Sequence, residues 1–130
     1  MRSAILVMLA CCAVAFAQQA RPLDPDWVVP EKAVQQQNPL RDKPELAAGG
    51  RKVFERNCAQ CHGDEKHERK NKAPDLAEGA VQQESDGALF WRISNGNSRK
   101  GMPAFSSFPE GQRWQLVLYI KSLGKVAAPQ

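Results

Sequence analysis

Cys58 and Cys61 stand two residues apart in the stretch NCAQCHGD, and His62 follows the second directly. Two thiols at that spacing can clamp a zinc ion, cycle as a disulfide, or be spent on covalent bonds to a cofactor. A structural zinc site takes four ligands, usually from a second Cys or His pair at some distance. Beyond this motif the chain offers His67, five residues after His62, and Cys11 and Cys12 in an apolar leader. That leaves the tetrahedron incomplete. A thiol–disulfide oxidoreductase carries C-x-x-C at a helix start within alternating strands and helices, where the first thiol is activated. Here the pair ends a helical stretch and no such alternation surrounds it, although His62 could still tune a thiol. In the third reading each thiol adds across a porphyrin vinyl group and the adjacent histidine lies under the iron, for which C-x-x-C-H is the signature.

Covalent haem makes two demands on the rest of the chain: an export route and a second axial ligand. Arg2 precedes an uncharged apolar run from Ala4 to Ala17, shorter than the roughly 20 residues that span a bilayer. Ala15 and Ala17 satisfy the small-x-small rule, so a signal peptide covering 1–17 is expected, cleaved after Ala17. A lipid anchor through Cys11 or Cys12 is the poorer fit, because neither cysteine follows a good lipobox. Cleavage leaves Cys58 and Cys61 as the thiols of the mature chain. It also removes Arg2, so 17 of the 18 basic residues remain against 14 acidic ones, a net charge of +3. An exported free pair would tend to oxidise to a disulfide unless otherwise engaged. The mature chain keeps one methionine, Met102, in RKGMPAF. Its thioether is a soft neutral ligand, and Met/His ligation raises a haem potential. Gly101 lets the backbone approach closely and Pro103 stiffens the loop. Methionine as plain core filler is the competing reading. His67 lies in a charged loop too near His62 to reach an opposite face and reads as solvated.

The elements that must position these residues are helical. Residues 18–44, rich in Pro and Gln, show no sustained period and read as an extended arm, partly draped on the domain through Trp27, Val28 and Val29. Pro44 and Glu45 open a helix whose apolar positions are Leu46, Gly50, Val53 and Phe54. A charged loop follows His62. Ser85 and Asp86 then cap a helix carrying Leu89, Phe90 and Ile93, which stops at Asn95–Gly96. Pro109 and Glu110 open a last helix ending at Gly124, with Leu116, Tyr119, Ile120 and Leu123 on one stripe. The expected fold is all-α: three main helices over residues 45–124, wide loops, and a tail at 125–130. Such loops rarely enclose a dry core unaided, and one large apolar cofactor would fill it. The charge of +4 over the full 130 residues and a pI near 9.0 suit acidic partners. They are too small and too evenly spread to indicate nucleic acid.

With these residues in place, the chain resembles the class I c-type cytochromes over residues 45–124. Gly50 and Phe54 fill the places of the glycine and aromatic that precede the attachment site in that family. Leu116 and Tyr119 look like the pair on its terminal helix. Pro74 in KAPDL is similar in context to the proline whose carbonyl accepts the axial imidazole N–H. The resemblance implies a cytochrome c-like fold around one haem c. Cys58 and Cys61 would be its thioether attachments, Pro74 the partner of His62, and His62 and Met102 the axial ligands. It implies a periplasmic, monomeric electron carrier and not an enzyme. Such a carrier would exchange electrons between a dehydrogenase or respiratory donor and a cytochrome complex, oxidase or other acceptor. Trp91 and Trp114 read as core, with an N–H that could reach a propionate, and Arg99 and Lys100 as either a docking pair or a solvated one. An open iron position, for gas binding or peroxidase-like chemistry, is the alternative.

Overall fold

The computed structural model describes residues 23–70 and 73–127. The expected leader at 1–17, the first residues of the arm and the last of the tail lie outside them. Among these described residues six helices follow in order: α1 (Glu31–Val34), α2 (Ala47–Asn57), α3 (Ala59–His62), α4 (Gly79–Gln82), α5 (Asp86–Asn95) and α6 (Glu110–Ala127). Short 3-10 turns occupy Pro44–Leu46 and Ser98–Lys100. No strand forms among the described residues, where Asn97 and Met102 pair as an isolated bridge. The fold is all-α, as expected.

The central contact is the crossing of α2 and α6. Gly50 and Phe54 lie one turn apart on the buried face of α2. A methyl group built on Gly50 would fall into the backbone carbonyl of Gln115, so the two helix backbones touch there. One turn on, the rings of Phe54 and Tyr119 meet at 5.2 Å. The core closes with Ala59, Val81, Leu89, Ile93, Trp114, Leu116, Val117 and Ile120. The expected α6 stripe is therefore widened. Trp114 and Val117 are buried, whereas Tyr119 and Leu123 are half-buried. The cause is that α6 packs against α2, α4 and α5 together, so its buried arc is broader than one stripe.

The ends of α5 follow local chemistry. Ser85 Oγ accepts from the Ala88 N–H at 3.1 Å, satisfying one of the donors that open a helix. Gly96 then leaves helical space at φ 64°, a conformation that costs glycine little. Gly124 behaves differently from its expected role as a stop, since α6 runs through it to Ala127. A side chain at Gly124 would collide with Gln82, whose Nε2 donates to the Ile120 carbonyl at 2.8 Å. The glycine thus makes room for α4.

The arm is less extended than its composition suggests, because it contains α1; it lies against the domain through Trp27, as expected. Asn38, 1% exposed, donates to the Trp114 carbonyl at 3.1 Å. Arg92 donates to the Trp27 carbonyl at 2.7 Å and lies over the Trp27 ring at 4.5 Å. Val28 stays out in solvent at 74% exposure.

The α2–α6 contact makes a two-sided prediction. Gly50→Ala is expected to destabilise by about 1–3 kcal/mol through overpacking, despite alanine's better helix propensity. Gly111→Ala, where nothing lies within 4 Å of the added methyl, should be neutral or gain up to about 1 kcal/mol. Urea unfolding followed by far-UV circular dichroism reads both.

Candidate functional site

Cys58 sits at the junction of α2 and α3, with φ −116° and ψ −35°. Its carbonyl accepts from the N–H groups of Cys61 at 3.0 Å and His62 at 2.9 Å. Cys58, Cys61 and His62 are thereby held on a single turn. Ala59, fully buried inside that turn, anchors it to the core. Gly63 ends it at φ 81°. A side chain there would press on the backbone of Arg69, so the turn depends on glycine both for its conformation and for the close passage of the next loop.

Neither cysteine is in a disulfide, and Cys61 is exposed while Cys58 is half-buried. Burial, reinforced by the neighbouring Cys61, pushes the Cys58 thiol up to about 12. A dithiol catalyst needs the opposite, a thiol whose ionisation is eased. Among the described residues no group of three or more His, Cys, Asp or Glu is placed to hold a metal ion, so the four ligands of a structural zinc do not assemble.

His62 Nδ1–H donates to the Pro74 carbonyl across 2.9 Å. A carbonyl only accepts, so this bond puts the proton on Nδ1 and leaves the Nε2 lone pair available to a metal. Burial, opposed by the Pro74 bond and aided by the Arg69 charge, holds the imidazole below its ordinary range. It is neutral, the form that ligates. A neutral imidazole with one free nitrogen, beside two unpaired thiols on the same turn, is a donor set that fits a covalently attached haem.

Met102 belongs to a separate turn between α5 and α6. Asn97 N–H donates to the Met102 carbonyl at 2.9 Å, and Met102 N–H donates back to the Asn97 carbonyl at 3.0 Å. Gly101 completes the turn in the left-handed region at φ 81°. Phe105 N–H donates to the Ile93 carbonyl at 3.0 Å, fastening the far side of the loop to α5. Met102 is half-buried. No hydrogen bond joins this turn to the Cys58–His62 turn among the described residues.

The other residues singled out from sequence have definite partners. His67 Nδ1 meets Asp64 Oδ1 at 2.8 Å in the exposed loop after the motif. Trp114 is 1% exposed and its Nε1–H donates to Glu110 at 3.2 Å, so that N–H is already engaged. Trp91 is half-buried. Arg99 donates to the Asp26 carbonyl at 3.2 Å, tying it to the arm, while Lys100 is exposed. Asn97 escaped sequence reasoning. The Asn-Gly-Asn run reads as a helix stop, and nothing local announces that the second asparagine will be buried.

Residues 45–120 match the model of one protein family, described as Cytochrome C oxidase, cbb3-type, subunit III. A search of curated proteins finds no match.

Proposed function

Because the chain belongs to the c-type cytochrome family whose model spans residues 45–120, we propose that it is a periplasmic single-electron carrier with one haem c and His/Met ligation. The family implies covalently bound haem, electron transfer and redox partners. The finer assignments rest on the site.

Cys58 and Cys61 would hold the haem through thioethers, and His62 Nε2 and Met102 Sδ would fill the two axial positions. A haem held there supplies one-electron exchange between ferrous and ferric iron. The observation that carries the reading is the bond from His62 Nδ1–H to the Pro74 carbonyl at 2.9 Å. It fixes the tautomer, aims the ring and makes Nε2 a better donor. Ala59 and Phe54, buried behind the attachment turn, keep water from that side. Gly101 and the Asn97–Met102 pairing hold the sulfur on a short, closed loop. With both axial positions taken by the protein, no position is left for substrate, which favours a carrier over a catalyst.

Removal of a leader at residue 17 would deliver the domain of residues 45–124, with its arm from 18 and tail to 130, to the periplasm as a monomer. No helix among the described residues is long and apolar enough to cross a membrane. The family's description as an oxidase subunit makes a terminal oxidase a reasonable acceptor, with a dehydrogenase or cytochrome complex as donor. Lys100, exposed on the Met102 turn, would face an acidic partner, while Arg99 of the proposed docking pair is held by the arm.

Protein purified from the cell envelope should carry one haem per chain that resists acid–acetone extraction, with no thiol reactive toward Ellman's reagent. Cys58→Ala/Cys61→Ala should give colourless, largely unfolded chain. A compact colourless protein with a titratable dithiol would sink the haem reading.

Met102→Ala should leave attachment intact. Its potential should fall by on the order of 100 mV or more, within the about 0.8 V span that axial ligands command, and ferrous iron should gain carbon monoxide binding. A redox titration with spectra in the presence and absence of the gas decides it. An unchanged potential would remove Met102 as ligand and favour the open-iron alternative.

A further inference from the structure

The turn that bears Met102 is closed mostly by backbone bonds, and two of its side chains, Asn97 and Arg99, reach the arm. Asn97, 7% exposed, donates from Nδ2 to Asp24 Oδ2 at 3.2 Å. That contact spans 73 residues of chain and leaves the family-matched segment, which begins at residue 45.

Asp24 is oriented for the contact. Its second oxygen, Oδ1, accepts from the Asp26 N–H at 3.1 Å, and its carbonyl accepts from the Trp27 N–H at 3.0 Å. Partial burial pushes the carboxyl up, but the Asn97 amide, the Asp26 N–H and the charges of Lys100 and Arg99 hold it below its usual range. It is ionised at neutral pH, so its bond from Asn97 is charge-assisted. Arg99 adds a second grip on the same turn, from its guanidinium to the Asp26 carbonyl at 3.2 Å.

The gripping segment is itself anchored. Arg92 of α5 holds the Trp27 carbonyl at 2.7 Å and is paired with Glu84 at 3.0 Å, with side chains 11% and 20% exposed. The arm is thus fixed to α5 before it reaches the turn that follows α5. It can resist movement of that turn instead of following it.

We propose that Asp24 and Asn97 are positioning residues for the Met102 ligand: the arm clamps the Met102 turn and slows departure of the sulfur from iron. The proposal rests on Met102 being the sixth ligand. Asn97 is the hinge point, since it is bonded to Met102 through its backbone and to the arm through its side chain. Opening the turn far enough to release sulfur must break the Asn97–Met102 pair, and the arm raises the cost of doing so by holding Asn97 from the other side. A missing acceptor at residue 24 leaves the buried Asn97 amide short of a partner and the turn freer to open, whereas a neutral acceptor there weakens the bond without removing it.

The test uses haem-loaded full-length protein and the binding of imidazole to ferric iron, whose rate at saturating imidazole reports release of the native sixth ligand. Asp24→Ala should raise that rate about tenfold or more, tenfold being the low end of the loss for a hydrogen bond to a charged group. Asp24→Asn, which keeps an acceptor in place, should recover much of the difference. Asn38→Ala is the comparison. It frees the arm's other end from the Trp114 carbonyl, makes no bond to the turn, and should stay near the wild-type rate even if it lowers thermal stability. A wild-type rate in Asp24→Ala overturns the clamp, and so does an equal acceleration in Asn38→Ala. Met102→Ala separates the two levels of inference. If it binds imidazole no faster than wild type and keeps its potential, methionine ligation fails and the clamp fails with it. If it binds without delay while Asp24→Ala is unchanged, ligation stands and the clamp alone is wrong.

Discussion

The approach of α2 to α6 at Gly50 governs where the other elements can go, because two backbones in contact leave little freedom in angle or register. The glycine gives up helix propensity of up to about 1 kcal/mol relative to alanine and gains a crossing at backbone distance, with the Gln115 carbonyl where a side chain would be. From that point α2 runs about two more turns, through Phe54, to Cys58. The Cys58–His62 turn is therefore held by a contact between two helix backbones. A bulkier residue would tilt α2 and carry the Cys58–His62 turn away from the Pro74 carbonyl that orients the imidazole.

Around that crossing the polar groups divide the work. Buried asparagines and half-buried arginines stitch loops to helices where apolar packing is thin. Asn38 reaches the Trp114 carbonyl, and Arg113 covers the face of Phe90 at 4.6 Å while Phe90 stacks on Trp114 at 3.9 Å. Each bond is worth about 1 kcal/mol net, but an unsatisfied buried partner costs more than that. The loops are thus locked by what breaking them would expose. This is how a chain with few aromatics and short helices keeps long connections in place.

What could be read from the sequence follows the range of the interaction involved. The ends of α5, with Ser85 before and Gly96 after, were legible because caps are made within four residues. The C-x-x-C-H turn was legible for the same reason. Pro74 came only through family resemblance, since nothing in KAPDL says its carbonyl will face a ring twelve residues earlier. The arm misled by composition. Pro and Gln suggested extension where α1 forms; Trp27 was legible as a docking point, but the bonds that fix the arm span 65 and 76 residues, which no local period encodes. Gly124 misled for a complementary reason: glycine marks helix ends and close approaches alike, and only the presence of Gln82 distinguishes them.

The two sides of the proposed iron site differ in how they are built. On the imidazole side, Cys58, Cys61, His62 and Pro74 lie within one short segment, joined by backbone bonds to the first turn after α2. Their geometry rests on that segment and on the α2–α6 crossing that places it. On the sulfur side, Met102 sits on a turn whose own bonds reach only from Asn97 to Phe105 and α5, and whose remaining support comes from the far end of the chain. Local unfolding free energies track the density of such contacts, so the sulfur side is the one with less to lose on opening. A carrier gains from this asymmetry. Under the proposed ligation, the imidazole would stay fixed to the iron through each cycle, while the strength of the methionine bond, and with it the potential, would be adjustable through the arm, which reaches the turn from outside the site.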